Sequence, residues 1–484
     1  MPTYIQTVTR ELTETDLTRF RIYAPFIEEV IEPVWRTVDW LHMADKRAWD
    51  MLASILSPGC LPNLRRISRS GAVLDTYCEP IHLFIGPRLQ DLTFFVLRVP
   101  RHPDSDSSAI PEHDGTTKVL MTLAQHPVDI RRLEISGTGT GSNVQALLTD
   151  VIVKLPRLQS YRSFGDLSIL PHALEHFASS HTLQSLDIHV NAAQYPLGVP
   201  STYRNAFSCL TNITVRADTV EWCVSFAENL GSPSIEKISL YASQHASSSS
   251  IYARLFAVLA ERPFNNSLRA LSIEFNPLHN STSEPVALSL DIISPLFGLR
   301  SLQSIRLAGM CYAVLDDHAL IQMADAWPHL EAATLCSWYR RDPSAPLATF
   351  SGVALLAHRC PQLRTFSIPL EDIAVGHLPT LLPVESTSDS TSRSGSCALR
   401  DLGIGGAKIA QADVVPMAAV LSHWFPQLED VEYFELDGDA AEEALFLAEE
   451  VYRGRWDEVA DLVRSFATVR AQERRWAAGN PSDR

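Results

Sequence analysis

A hexamer that is apolar at its first, fourth and sixth positions recurs thirteen times along this chain, and no other feature restricts the fold as much. Its first residues are Leu64, Leu89, Ile130, Leu158, Leu183, Leu210, Ile235, Leu268, Leu302, Leu330, Leu363, Leu399 and Leu428, spaced 25 to 41 residues apart. "LQSLDI", "LRALSI" and "LRTFSI" carry the full pattern, whereas "LRRIS", "LQSYRS" and "LEAATL" carry it loosely. Seven copies have a proline two residues ahead of the first position: Pro62, Pro87, Pro156, Pro233, Pro328, Pro361 and Pro426. One such hexamer means nothing, but a period of about 20 to 50 residues sustained along a chain marks a stacked repeat architecture. Positions 4 and 6 place two apolar side chains on one side of a short strand, toward a core shared with the next copy.

The segments between hexamers read as helices. "TVEWCVSFAENLG" aligns Val220, Cys223, Val224, Ala227 and Leu230 in one stripe, with Asp218 or Thr219 to cap it and Gly231 to stop it. "SGVALLAHRC" does the same with Val353, Leu356, Ala357 and Cys360, and Ser351 as its cap; Cys360 then closes the helix as a small hydrophobe. "DHALIQMADAW" and "VVPMAAVLSHW" place Trp327 and Trp424 on the buried side. The alternation predicts an α/β leucine-rich-repeat solenoid, an arc of short parallel strands backed by helices, over residues 61–436.

The ends differ from the array. Residues 1–60 predict an N-terminal helical cap or degenerate first repeat, with a short helix, a strand around Ile27 to Ile31 and a helix in "ADKRAWDMLASIL". Residues 437–484 predict a C-terminal amphipathic helical cap with an apolar stripe of Trp456, Val459, Val463 and Phe466, because the open end of a stack needs a polar cover. A partner-binding helix is the alternative reading of that tail. Polar inserts at 101–117, 241–250, 276–285 and 385–396 read as solvated loops or as phosphorylation-controlled segments.

Composition narrows the function. The 40 Lys and Arg against 56 Asp and Glu give a net charge of −16, which argues against nucleic acid and anionic membranes as partners. The N-terminus lacks an apolar signal core, no stretch approaches 18 apolar residues, and the eight cysteines include no C-x-x-C pair. The expectation is a reduced cytoplasmic or nuclear protein without a membrane span. No catalytic or nucleotide motif occurs, and "GIGGAK" at 403–408 lacks phosphate-loop spacing. Asp316, Asp317 and His318 read as a helix start, where acidic residues suit the macrodipole. We expect no enzyme, no metal site and no cofactor.

Binding is expected on the concave side of the arc, where positions 3 and 5, with position 2, face outward. The candidate protein-binding residues are Arg65, Arg66, Arg131, Arg132, Arg162, Asp187, Lys237, Arg306, Thr365, Ser367, Asp430 and Glu432. Their charge is graded, basic in the early hexamers and acidic in the last ones, where Glu429 joins them. Such a surface would orient an asymmetric protein partner. The competing reading is that short hydroxyl residues simply suit a crowded strand face.

"CPQLRTFSI", together with "LPNLRRI", "WPHLEAATL" and "FPQLEDVEYF", resembles the leucine-rich repeats of F-box proteins. With "LTETDLTRFRIYAPFIEEV" ahead of the first hexamer and the tail "RWDEVADLVRSFATVRAQERRWA", the chain is similar to the F-box/leucine-rich-repeat proteins of mushroom-forming fungi. That resemblance implies a substrate receptor of a cullin-based ubiquitin ligase, whose F-box grips a Skp-type adaptor while the repeats hold the substrate. No L-P-x-E-[IVL] opening of an F-box precedes "TETDLTRF", so no residue is assigned to the adaptor. The expectation is either an F-box encoded upstream of Met1 or an F-box-less paralogue that binds through its repeats alone. The rivals are a scaffold or inhibitor unrelated to ubiquitin, and a polysaccharide-acting β-solenoid enzyme, which would need clustered carboxylates on successive coils.

Overall fold

The computed structural model describes residues 13, 15–32, 46–69, 81–96, 114–126, 128–137, 142–165, 167–191, 206–244, 248–275, 287–309, 313–335, 348–372, 397–405, 407–434 and 443–479. Of the polar inserts, residues 101–113, 245–247, 276–285 and 385–396 lie outside them, as do Cys78, Cys311 and Cys336. The chain forms two compact units, Met1–Ala217 with Asn229–Ser232, and Asp218–Glu228 with Pro233–Arg484.

In the first unit seven strands hydrogen-bond in chain order, every neighbouring pair parallel: Glu29–Glu32, Arg66–Arg69, Asp91–Val96, Arg132–Gly137, Ser160–Gly165, Ser185–Val190 and Asn212–Ala217. Helices Asp114–Gln125, Ser142–Val153 and Pro171–Ser179 pack against one another in sequence. The second unit repeats the plan with strands Lys237–Ala242, Ala270–Phe275, Ser304–Ala308, Ala332–Leu335, Thr365–Pro369, Asp401–Gly405 and Asp430–Phe434. Its helices include Val220–Ala227, Ser249–Ala260, Asp317–Ala326, Phe350–Arg359 and Val414–Trp424. No described helix is long and apolar enough to cross a membrane.

Each of the thirteen hexamers enters a strand at its third position, and equal positions pair across neighbouring strands, as in Ser304↔Ala332, Ala332↔Thr365 and Thr365↔Asp401. The register follows from burial. Position 4 is buried in every copy, and position 6 wherever it is apolar, from Ile67 and Phe94 to Val431 and Tyr433. A slip of one residue would turn that whole set outward. The position-2 carbonyl adds a second lock, accepting two amides from the next copy: Arg131 and Arg132 donate to the Gln90 carbonyl at 2.7 and 3.0 Å, and Glu429 and Asp430 donate to that of Arg400 at 2.7 and 3.0 Å.

The recurring prolines have a local cause. The amide of the first hexamer residue donates to the carbonyl three residues earlier: Leu158 to Leu155 at 3.3 Å, Leu330 to Trp327 at 3.1 Å, Leu363 to Cys360 at 3.0 Å and Leu428 to Phe425 at 2.9 Å. Pro156, Pro328, Pro361 and Pro426 are the second residues of these turns, where their fixed φ fits and their missing N–H is not required. Cys360 is the C-cap residue of its helix, is fully buried, and its Sγ lies 3.4 Å from the Trp327 carbonyl it donates to.

Several local expectations are corrected. Thr349, not Ser351, caps the helix Phe350–Arg359, its hydroxyl accepting from the amides of Ser351 and Gly352 at 3.2 and 3.4 Å. Of the two caps expected for Val220–Ala227, Thr219 is the one used, its hydroxyl accepting from the Trp222 amide. Trp327 is fully buried, whereas Trp424 is only half-buried, and Phe466 is half-buried beside the buried Trp456, Val459 and Val463. The first strand runs Glu29–Glu32 rather than from Ile27, and continues the sheet register through Glu29↔Arg66.

The long helix Glu443–Gly479 packs on the helix Val414–Trp424 and on the last strand. Trp456 anchors it, fully buried, with its indole N–H donating to the Ala407 carbonyl at 2.8 Å and its ring stacked on Phe350 at 5.9 Å. Arg455 donates to the Ile409 carbonyl at 2.6 Å, and Arg470 reaches the carbonyl and hydroxyl of Ser422. The polar side of the same helix returns to the strand face through Arg464, 3.4 Å from Asp430.

Candidate functional site

Because alternate residues of a strand face opposite ways, positions 3, 5 and 7 of each hexamer make parallel rows on the side away from the core. In the first unit the position-3 row is Arg66, Asp91, Arg132, Ser160, Ser185 and Asn212. The position-5 row is Ser68, Thr93, Glu134, Arg162, Asp187 and Thr214. Arg65, Arg66, Arg131, Arg132 and Arg162 are all exposed. Six of the sequence-derived candidates therefore stand on, or just before, strands of one unit: Arg65, Arg66, Arg131, Arg132, Arg162 and Asp187.

The rows are threaded by ion pairs. Arg132 forks onto Asp91 of the preceding strand, its Nε donating to Oδ1 at 2.8 Å and its Nη2 to Oδ2, and that hydrogen bonding raises the guanidinium pKa. Asp129 sits 3.6 Å from Arg131 and 3.3 Å from Arg157. Arg162 lies between two carboxylates, 4.0 Å from Glu134 and 3.8 Å from Asp187. Asp187 is also gripped by Arg216, whose Nη1 donates to Oδ1. Phe164, two residues beyond Arg162 on the same face, meets both cations, with the guanidinium carbons of Arg162 and Arg216 at 5.5 and 5.3 Å from its ring centre. Such contacts are each worth about 0.5–1 kcal/mol where exposed and more where water is excluded.

Asp187 requires a correction. It stands in the outward row, but its side chain is only 7% exposed, shut in by the arginines of neighbouring strands. It is the buried counter-ion of the cluster, not a surface contact. Ser239 and Gly403, also at position 5, are buried too. Phe164 and Arg216 were not among the candidates, which stopped at position 5. The available signal was the strand's alternation carried two residues further, to position 7.

In the second unit Lys237 is exposed and Arg306, Thr365 and Ser367 are half-exposed on the same kind of face. Arg306 pairs with Glu274 at 3.4 Å, and Thr365 donates to Asp401 at 3.2 Å. Asp430 and Glu432 are exposed; Asp430 faces Arg464, and Glu432 forms no ion pair among the described residues. Glu429, beside them, meets Arg400 at 3.4 Å. Gly403 and Gly405 of "GIGGAK" are packing positions: a Cβ on Gly405 would come within 2.4 Å of the Phe434 ring, and one on Gly403 within 2.4 Å of the Ser367 hydroxyl.

No protein-family model matches the chain, and no curated protein matches it.

Proposed function

We propose that this chain is a leucine-rich-repeat protein that binds another protein on the polar face of its strands and performs no catalysis itself. The observation that carries the reading is the in-register array of outward charged and hydroxyl side chains on short parallel strands, with the apolar positions wholly committed to the core. Such a face has rigid, evenly spaced groups suited to reading an extended partner. In this reading the helix Glu443–Gly479 closes the last repeat, and the strand Glu29–Glu32 begins the stack. The likeness to F-box/leucine-rich-repeat proteins makes a substrate receptor for a cullin-based ubiquitin ligase the specific role.

The test is affinity purification of the tagged chain, with any in-frame upstream sequence restored, against an Arg131→Glu/Arg132→Glu variant and a helix-side control, Val153→Glu. Recovery of a Skp-type adaptor, and loss of a further bound protein only in the arginine variant, is the expected result. A bound protein whose capture and salt dependence are the same in wild type and the arginine variant would sink the strand-face reading. Capture of a partner without any adaptor would leave the binding face standing and favour a scaffold or inhibitor unrelated to ubiquitin.

A further inference from the structure

On the first unit's strand face, six arginines (Arg65, Arg66, Arg131, Arg132, Arg162 and Arg216) stand with six carboxylates, Glu28, Glu29, Asp91, Asp129, Glu134 and Asp187. Arg162 stands among them. Its side chain is 49% exposed, and its two carboxylate neighbours stand at 3.8 and 4.0 Å, beyond hydrogen-bond length. Among the described residues no hydrogen bond is made by its guanidinium, although that group carries five N–H donors in a fixed fork. Its position is nonetheless held: its guanidinium lies 5.5 Å from the centre of the Phe164 ring, and Arg216, which contacts the same ring, ties Asp187 in place. A positioned, half-exposed guanidinium with unspent donors matches a carboxylate ligand, which it binds bidentately.

We propose that Arg162, beside Phe164, is the recognition point for a carboxylate side chain in an acidic segment of the partner protein. The proposal rests on the strand-face reading above and names the chemistry of its partner. A protein segment suits this face better than a nucleic acid does. Arg132 and Glu134 share a strand, and Asp91 and Asp187 stand on the strands beside Arg132 and Arg162, so a polymer with a charge on every unit would meet a carboxylate beside each cation. A peptide with spaced Asp and Glu residues can set its carboxylates against the cations and its uncharged residues against the carboxylates of the face.

The test uses the full chain and a fluorescent decapeptide of alternating Glu and Ser, with its Gln–Ser and Lys–Ser counterparts, read by anisotropy at about 0.05 and 0.15 M salt. The Glu peptide is expected to bind, to weaken with salt, and to lose about tenfold affinity in Arg162→Gln, equivalent to about 1.4 kcal/mol. Arg162→Lys should recover little of that loss, because a point charge lacks the fork. Both variants should stay folded with nearly the wild-type unfolding midpoint, since Arg162 makes no hydrogen bond to the fold and Arg216 still holds Asp187. The cation control Arg254→Gln, in the second unit, should bind as wild type does. Equal binding of the Gln peptide, unchanged affinity in Arg162→Gln, or tighter binding of a ten-nucleotide single strand through the same residue overturns the proposal. If the Glu peptide fails while the arginine variant of the preceding section still loses its captured protein, the carboxylate assignment falls and the strand-face reading survives.

Discussion

Asp317 and Thr349 join two successive helices: one carboxylate oxygen accepts from the Thr349 amide at 2.7 Å, and the other accepts from its hydroxyl at 2.8 Å. Thr349 is itself the cap of the following helix, so an acid at one helix start positions the start of the next. Gly352 completes the joint, since a Cβ there would come within 2.1 Å of the Asp317 carboxylate.

Asp317→Ala should therefore lower stability by about 1–3 kcal/mol, the cost of leaving partly buried donors unmet. Gly352→Ala should cost a similar amount by pushing the carboxylate away. Chemical denaturation of both singles and the double variant checks the coupling: the double should cost clearly less than the sum. Strict additivity would show that the joint does not exist.

Trp456 carries the attachment of the C-terminal helix. Trp456→Ala removes a fully buried indole, its bond to Ala407 and its stack on Phe350, and should cost roughly 3–5 kcal/mol. Trp456→Phe keeps most of the apolar volume and loses the hydrogen bond, so it should cost less. Limited proteolysis should release residues after about 440 from the Ala variant first; equal protease resistance in the Ala variant and wild type would contradict the anchoring role.

The glycines of the strand Asp401–Gly405 should behave as packing positions. Gly405→Ala should destabilise by about 1–3 kcal/mol through collision with Phe434, and adding Phe434→Leu should restore part of it. ATP with magnesium should leave the melting temperature of the wild-type chain unchanged, and a ligand-induced rise would refute the packing account.

Burial pushes the Cys223 thiol up to about 12, and those of Cys60 and Cys360 up to about 11. The folded chain thus holds these protons more tightly than the unfolded chain, whose thiols titrate near about 8.5. Their contribution to stability is full below that value and is lost as pH rises toward about 11 and then 12. Urea midpoints should hold level from about pH 7 to 8 and fall above about 9, with a shallower fall in Cys223→Ala/Cys360→Ala. Iodoacetamide at pH 8 should modify Cys223 and Cys360 only once urea is added. Rapid labelling of either in the folded chain would show that the packing role is wrong.

The array was legible because its determinant is local and repeated. A strand two-sided in polarity leaves only one register that buries Leu363, Phe366 and Ile368 together, and a proline before such a strand leaves only a turn. What was not legible depended on residues far apart in the chain. Thr349 outcompetes Ser351 as a cap because Asp317, 32 residues earlier, holds its hydroxyl and amide. Gly405 is required by Phe434, on the next strand.

The same division governs the binding face. Sequence alone determined which residues leave the core, since period-two alternation decides that without reference to any neighbour. Only the tertiary structure decided what each outward charge does. Asp187 and Arg162 look equivalent in their hexamers, but Arg216 reaches across from the adjacent strand and closes over the carboxylate, leaving the guanidinium of Arg162 half in solvent. Electrostatic partnership is set by distance through space, and stacking brings together strands that the chain separates by 25 residues or more.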